Sequence, residues 1–266
     1  GLWDRLVTSE PLLRRVAAVT VCGWLGWSGV SELGMGLPAA LGATLVAALA
    51  AALAPPLGVA AGLILFAAGA FARSLVLGLA VTVIGALWWV VAGRRRDWVG
   101  LVPLLAPLFG AAGLAPALPL LIGFFVPGTW LAIATGAASG AIAVTAAVAS
   151  GTTQAPFLHV APRFLAAPLS AAGLHASLSG ALPALAVVVG WGLAAGAVSL
   201  TARRATRPSV LGGVLVGSVV TLAAAGPWVT GGQQLDGRVV LQVGLSLILM
   251  LFVTVLGPPI AAEPDE

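Results

Sequence analysis

The 266-residue chain is 60 % hydrophobic and only 8 % charged, with a mean hydropathy of +1.12, where a soluble domain carries about 25 % charged residues. Its net charge of +4 comes from twelve arginines and eight carboxylates. The arginines sit at the ends of apolar runs, with no basic stripe interleaved with aromatics, so nucleic-acid binding is set aside. The composition predicts an all-α, polytopic transmembrane helix bundle of about ten spans at about 20 residues each.

Residues 1–15 read as an amphipathic, cytoplasmic juxtamembrane lead-in, with Trp3, Leu6 and Leu13 at the interface and Arg5, Arg14 and Arg15 in water. The transmembrane domain follows over residues 16–257. Val16–Gly29 opens the first span and Ser31-Glu32 closes it. Pro38–Ala54 is an Ala/Leu span ended by Pro55-Pro56. Leu57–Ala72 is short and ends at Arg73. Ser74–Ala92 is the fourth span, with Trp88 and Trp89 where an aromatic belt belongs. Arg94, Arg95 and Arg96 are the strongest cytoplasmic marker.

Trp98–Val126 holds no charge but carries Pro103, Pro107, Pro116 and Pro119 around Gly110 and Gly113. Proline removes a backbone donor and pushes the preceding residue out of the α region. The stretch therefore predicts a Pro/Gly-broken hairpin, interrupted near Gly110–Ala115. Irregular backbone at membrane depth is tolerated where protein or a wet cavity covers it, which puts the hairpin inside the bundle.

Pro127-Gly128 reads as a turn, and Trp130–Ala149 as a span of small residues. Ser150–Ser177 is the longest interruption, an external loop over residues 150–178, with an interfacial helix expected at Pro162–Leu174. Gly180–Leu200 spans again. Arg203, Arg204 and Arg207 form the second basic cluster. Ser209–Ala225 and Val239–Leu256 are the last spans, joined by the polar turn Pro227–Arg238. Residues 258–266 are an acidic tail with Glu263, Asp265 and Glu266.

Parity links these assignments. With the N-terminus and both arginine clusters cytoplasmic, four spans return the chain to the inside at Arg94. A single helix over Trp98–Val126 would then leave Arg203 outside. A hairpin keeps it inside, so the positive-inside rule favours the hairpin independently of its prolines.

Counting sets several chemistries aside. The chain has no lysine, so it holds no P-loop lysine and no kinase phosphate-pairing lysine. Two His and one Cys do not make a usual structural zinc site. Cys22, in an apolar run, reads as a buried thiol. Glu32, Asp97 and Asp236 fall at span ends or in loops, whereas proton-coupled pumps carry an acid inside the membrane. Catalytic, cofactor and metal residues are accordingly expected to be none in this chain. The candidate ligand or sensor loop is Gln154, His159, Arg163 and His175, because His titrates near neutral pH; ordinary polar contacts are the competing reading. Arg94–Arg96 and Arg203, Arg204 and Arg207 are topology determinants. Small-xxx-small pairs at Gly58–Gly62, Gly136–Gly140, Gly192–Gly196 and Gly213–Gly217 let helices approach closely and allow a homo-oligomer through those faces.

The absence of Lys, Asn and Tyr, whose codons are rich in A and T, points to a high-GC bacterium. The segment LVPLLAPLFGAAGLAPALPLLIGF, Leu101–Phe124, resembles the Pro/Leu-rich membrane signature of the polytopic region that follows the catalytic domain in some actinobacterial serine/threonine protein kinases. ASGTTQAPFLHVAPRFLAAPL, Ala149–Leu169, is similar to the loop that follows that signature in relatives of the coriobacterial branch. The resemblance covers roughly Ala54–Arg207 and carries no catalytic or binding residue with it. It implies a multi-pass bacterial cell-membrane domain with a cytoplasmic N-terminus. It also implies an N-terminal kinase domain before Gly1 that would bring ATP and Mg. The lipid bilayer and that kinase domain are the expected partners. A small-molecule or lipid permease is the alternative, since broken helices are typical of transporters. A membrane enzyme acting on lipid-linked substrates is a third reading.

Overall fold

A computed structural model describes residues 10–73, 75–93, 97–149, 171–203, 207–224 and 237–256. Among them every regular element is helical, in two compact units, Gly1–Leu105 and Ala106–Glu266.

The first unit begins with α1 (Glu10–Glu32), α2 (Leu37–Leu53), α3 (Pro55–Arg73) and α4 (Leu75–Trp88). α4 continues as a π-helical turn over Trp89–Gly93. α5 (Asp97–Leu101) and a 3-10 turn (Val102–Leu105) follow. Pro55 opens α3, where its missing N–H would have no partner anyway. α1 starts at Glu10 with Pro11 in its first turn. The last part of the expected lead-in, Glu10–Arg15, therefore belongs to α1, because proline in a first turn does not stop a helix.

Glycine sets the spacing of this unit. A Cβ on Gly26 of α1 would lie 2.7 Å from the Ala43 carbonyl of α2. One on Gly29 would collide with the Leu65 carbonyl of α3. Along α1, Gly23 and Gly26 face Thr44 and Ala43 in turn, so α1 and α2 are antiparallel. Gly62 lies against Leu25 and Gly69 against Gly29, so α1 and α3 are parallel. Gly78 of α4 meets Phe71 and Gly85 meets Leu63, so α4 is antiparallel to α3. The chain thus leaves α4 at the end where α1 begins, as the parity argument requires.

The second unit contains α6 (Ala106–Ala111), α7 (Ala117–Phe125), α8 (Thr129–Ala149), α9 (Ala171–Ala202), α10 (Arg207–Ala224) and α11 (Gly237–Leu256). α7 has 9 residues, about 14 Å of helix, and lies at the centre. Its Leu120 joins Val198 of α9, Val214 of α10 and Met250 of α11 in one buried cluster. Around it, glycines again meet backbone. A Cβ on Gly136 of α8 would lie 2.6 Å from the Trp191 carbonyl, and one on Gly192 of α9 lies 3.2 Å from the Ile133 carbonyl. Gly213 faces Thr201, and a Cβ on Gly217 would lie 2.7 Å from Leu120. Gly58 and Gly62 do the same in the first unit. The four small-xxx-small pairs are thus filled by helices of the same chain.

Two expectations shift. α9 starts at Ala171, so residues 171–178 of the expected external loop are helical. The run AAGLHASL is rich in strong helix formers and holds no breaker before Pro183. The Pro162–Leu174 helix lies largely outside the described residues, as do the tail and the first nine residues. Among the described residues, two stretches, Pro55–Ala72 and Ala184–Ala202, are long and apolar enough to cross a membrane by length and composition, against the about ten spans expected.

The glycine contacts predict opposite outcomes at two positions. Gly136→Ala forces a Cβ onto the Trp191 carbonyl and is expected to cost about 1–3 kcal/mol. Gly42 of α2 has nothing within 4 Å of its Cβ position, so Gly42→Ala is expected to gain about 0.5–1 kcal/mol. Unfolding of the two variants in detergent micelles measures both.

Candidate functional site

The sensor residues read from sequence do not come together in the described structure. Gln154, His159 and Arg163 lie outside the described residues. His175 is on the α9 helix, not in an external loop. Among the topology determinants, Arg94, Arg95, Arg96 and Arg204 lie outside the described residues. Arg207 opens α10, and Arg203 is exposed where α9 ends.

The break between α6 and α7 is the most unusual polar feature of the second unit. α6 ends in a reciprocal pair of backbone bonds. The Leu114 N–H donates to the Phe109 carbonyl at 2.8 Å and the Gly113 N–H to the Gly110 carbonyl at 3.0 Å. This pattern needs a residue in the left-handed region at its centre, and Gly113 supplies it with φ 71°. The chain turns through Ala112–Pro116, within a residue or two of the interruption expected from the prolines.

The amino end of α7 is closed. The Ala117 N–H donates to the Leu114 carbonyl and the Leu118 N–H to the Ala115 carbonyl, at 2.9 and 3.2 Å. Pro119 has no N–H. Broken helices that hold anions do so with free first-turn amides; here those amides are spent or missing. The sequence also holds no carboxylate between Trp98 and Leu235 to offset a cation. The break is suited to a neutral polar group, not to an ion.

Gln242 of α11 faces it. Its Nε2 lies 3.6 Å from the position a Gly113 Cβ would take. Its Oε1 is buried without a hydrogen-bond partner. A buried amide oxygen in that state costs about 1–3 kcal/mol. The buried hydroxyls of this unit avoid that cost. Thr135, Ser139, Ser218, Thr221 and Ser246 donate to carbonyls of their own helices at 2.6–2.8 Å. Gln242 stands out because its amide reaches off the helix. Sequence reading missed it by searching the spans for carboxylates only; a glutamine inside VVLQVGLSLILM was the available signal.

A second irregular site lies in the first unit. The Trp88 indole N–H donates to the Gly100 carbonyl at 3.0 Å, tying the end of α4 to α5. The neighbouring Trp89 Nε1 is buried without a partner. Among the described residues no three His, Cys, Asp or Glu side chains are grouped to hold a metal ion. No protein-family model, curated protein or solved structure matches this chain.

Two substitutions test the break. Gly113→Ala places a Cβ in the left-handed region and is expected to destabilise by about 1–2 kcal/mol. Gln242→Leu removes the unpaired amide and is expected to leave stability unchanged or raise it by up to about 3 kcal/mol. A loss of stability on Gln242→Leu in detergent melts would mean that the amide has a polar partner.

Proposed function

We propose that this chain is a non-catalytic integral membrane domain, a polytopic bundle that anchors a cytoplasmic serine/threonine kinase domain and senses a lipid or small neutral molecule. The observation that carries the membrane part is the distribution of leucine. α2 buries Ala40, Ala47 and Ala51 and exposes Leu41, Leu45, Leu49 and Leu53, the last at 84 %. α11 exposes Leu241, Leu245, Ile248 and Phe252 and buries Ser246. In water the large apolar side chains would turn inward and the hydroxyls outward. Against lipid the reverse costs nothing, and small residues at the contacts are what membrane helices use.

Several spans follow from this reading. α7 covers about half of an about 30 Å hydrocarbon layer, and the surrounding helices of its unit bury it. The rise along α11 from Gln242 to Met250 is about 12 Å, so the break lies at membrane depth, covered by protein as irregular backbone must be. The sensing role is assigned to the Gln242 break; the loop of Gln154, His159 and Arg163 stays a secondary candidate. The kinase assignment rests on the resemblance of Leu101–Phe124 and Ala149–Leu169 alone. The broken helix also favours a permease for neutral substrates as the second reading.

Leu45→Arg separates membrane from water. An exposed leucine on a soluble helix tolerates arginine within about 0.5 kcal/mol. In a bilayer-spanning α2 the change costs about 2.5–3.5 kcal/mol of insertion free energy. Loss of the variant from carbonate-washed membranes is expected; unchanged yield in a soluble fraction would overturn the membrane reading. For the kinase, the coding frame upstream of Gly1 decides. A continuous frame with a catalytic Asp loop and a metal-binding Asp supports the anchor, and a stop codon there overturns it.

A further inference from the structure

We propose that one end of the Ala106–Glu266 unit is a docking surface for the headgroups of anionic phospholipids. The inference goes beyond the proposed function and rests on its membrane part. The Val126–Gly128 turn brings the start of α8 beside the end of α9. The guanidinium Nη2 of Arg203 lies 3.6 Å from the position a Gly128 Cβ would occupy, and Gly128 has φ 88°. A Cβ at Gly128 would therefore be in ordinary van der Waals contact with the guanidinium. Arg203 is exposed, and α10 opens at the same end with Arg207, because Gly213 packs on Thr201.

The charge at this end has no carboxylate to meet along α6–α10, since the sequence holds none between Trp98 and Leu235. The complement must be an anion. The surroundings decide which anion. Trp130, two residues beyond Gly128, is 84 % exposed, Phe125 57 % and Leu200 58 %. A free phosphate would meet Arg203 and leave these three side chains in water. A phospholipid meets both, with its phosphate on the arginine and its glycerol and upper acyl carbons on the rings and the leucine. Exposed tryptophan beside arginine is also the pairing found at membrane–water boundaries. Anionic lipid attracts each arginine near the surface enough to change the local lipid ratio about fivefold.

The test uses the full chain in phosphatidylcholine vesicles doped with brominated lipid, on either a phosphatidylcholine or a phosphatidylglycerol headgroup. Subtracting the Trp130→Phe signal isolates the fluorescence of Trp130. Brominated phosphatidylglycerol is expected to quench it in excess of brominated phosphatidylcholine. Arg203→Gln is expected to cut that excess about fivefold, and Arg203→Lys to keep most of it. Equal quenching by the two headgroups overturns the proposal. So does an excess that Arg203→Gln leaves intact, or one abolished by free glycerol phosphate, which would make the surface a soluble-anion site. An excess that emerges only when Glu263, Asp265 and Glu266 are changed to amides also overturns it, because the acidic tail would then hold the arginines. Quenching by neither lipid would mean that the chain is not in the bilayer, and the membrane reading would fail first.

Discussion

Close approach of backbones is the constraint on which the rest of this structure depends. Where Gly26 meets Ala43, Gly136 meets Trp191 and Gly192 meets Ile133, there is no room for a larger side chain between the helices. Dispersion and weak carbonyl contacts then add to the buried cluster around Leu120 as sources of cohesion. The leucines this displaces go to the outside. One arrangement thus explains both the small residues at the crossings and the apolar exterior.

The same constraint accounts for the hydroxyls. Thr221 and Ser218 are buried in α10, yet each donates to a carbonyl one turn back. Such bonds close inside a single helix and ask nothing of a neighbour. They let polar side chains occupy close crossings without fixing which helix packs there. The amide of Gln242 is longer and cannot close on its own helix in this way. It reaches the α6–α7 turn and leaves its oxygen unpaired.

Helical class and most boundaries were legible because Pro and Gly punctuate the chain so heavily. The prolines of Trp98–Val126 located the break within a residue or two, and the arginine parity put the Pro127-Gly128 turn and Arg203 at one end, where the structure has them. Boundaries failed where a local rule has two readings. Pro55 ends one helix as a breaker and starts the next as a first-turn residue. Pro11 and Pro183 sit within helices that sequence reading began later. The site was less legible still. His and Arg drew attention for their charge, while the residue that meets the break is neutral, and its pairing with Gly113 joins segments that are remote along the chain.

A neutral residue at the break has a physical logic. A carboxylate there would be desolvated without a cation, and the sequence offers no arginine on α6, α7 or α8. An anion brought to α7 would find Ala117 and Leu118 already bonded and Pro119 without a donor. An amide tolerates both conditions, at a cost that a single hydrogen-bond donor removes. A molecule carrying one such donor on an apolar body, arriving from the lipid, would lower the free energy of the break directly. Because Gly113 lies in the α6–α7 turn and Gln242 in α11, pairing that oxygen would also change how firmly α11 holds the turn. A single amide can therefore couple occupancy of the break to the packing of α11 without any charge moving through the membrane.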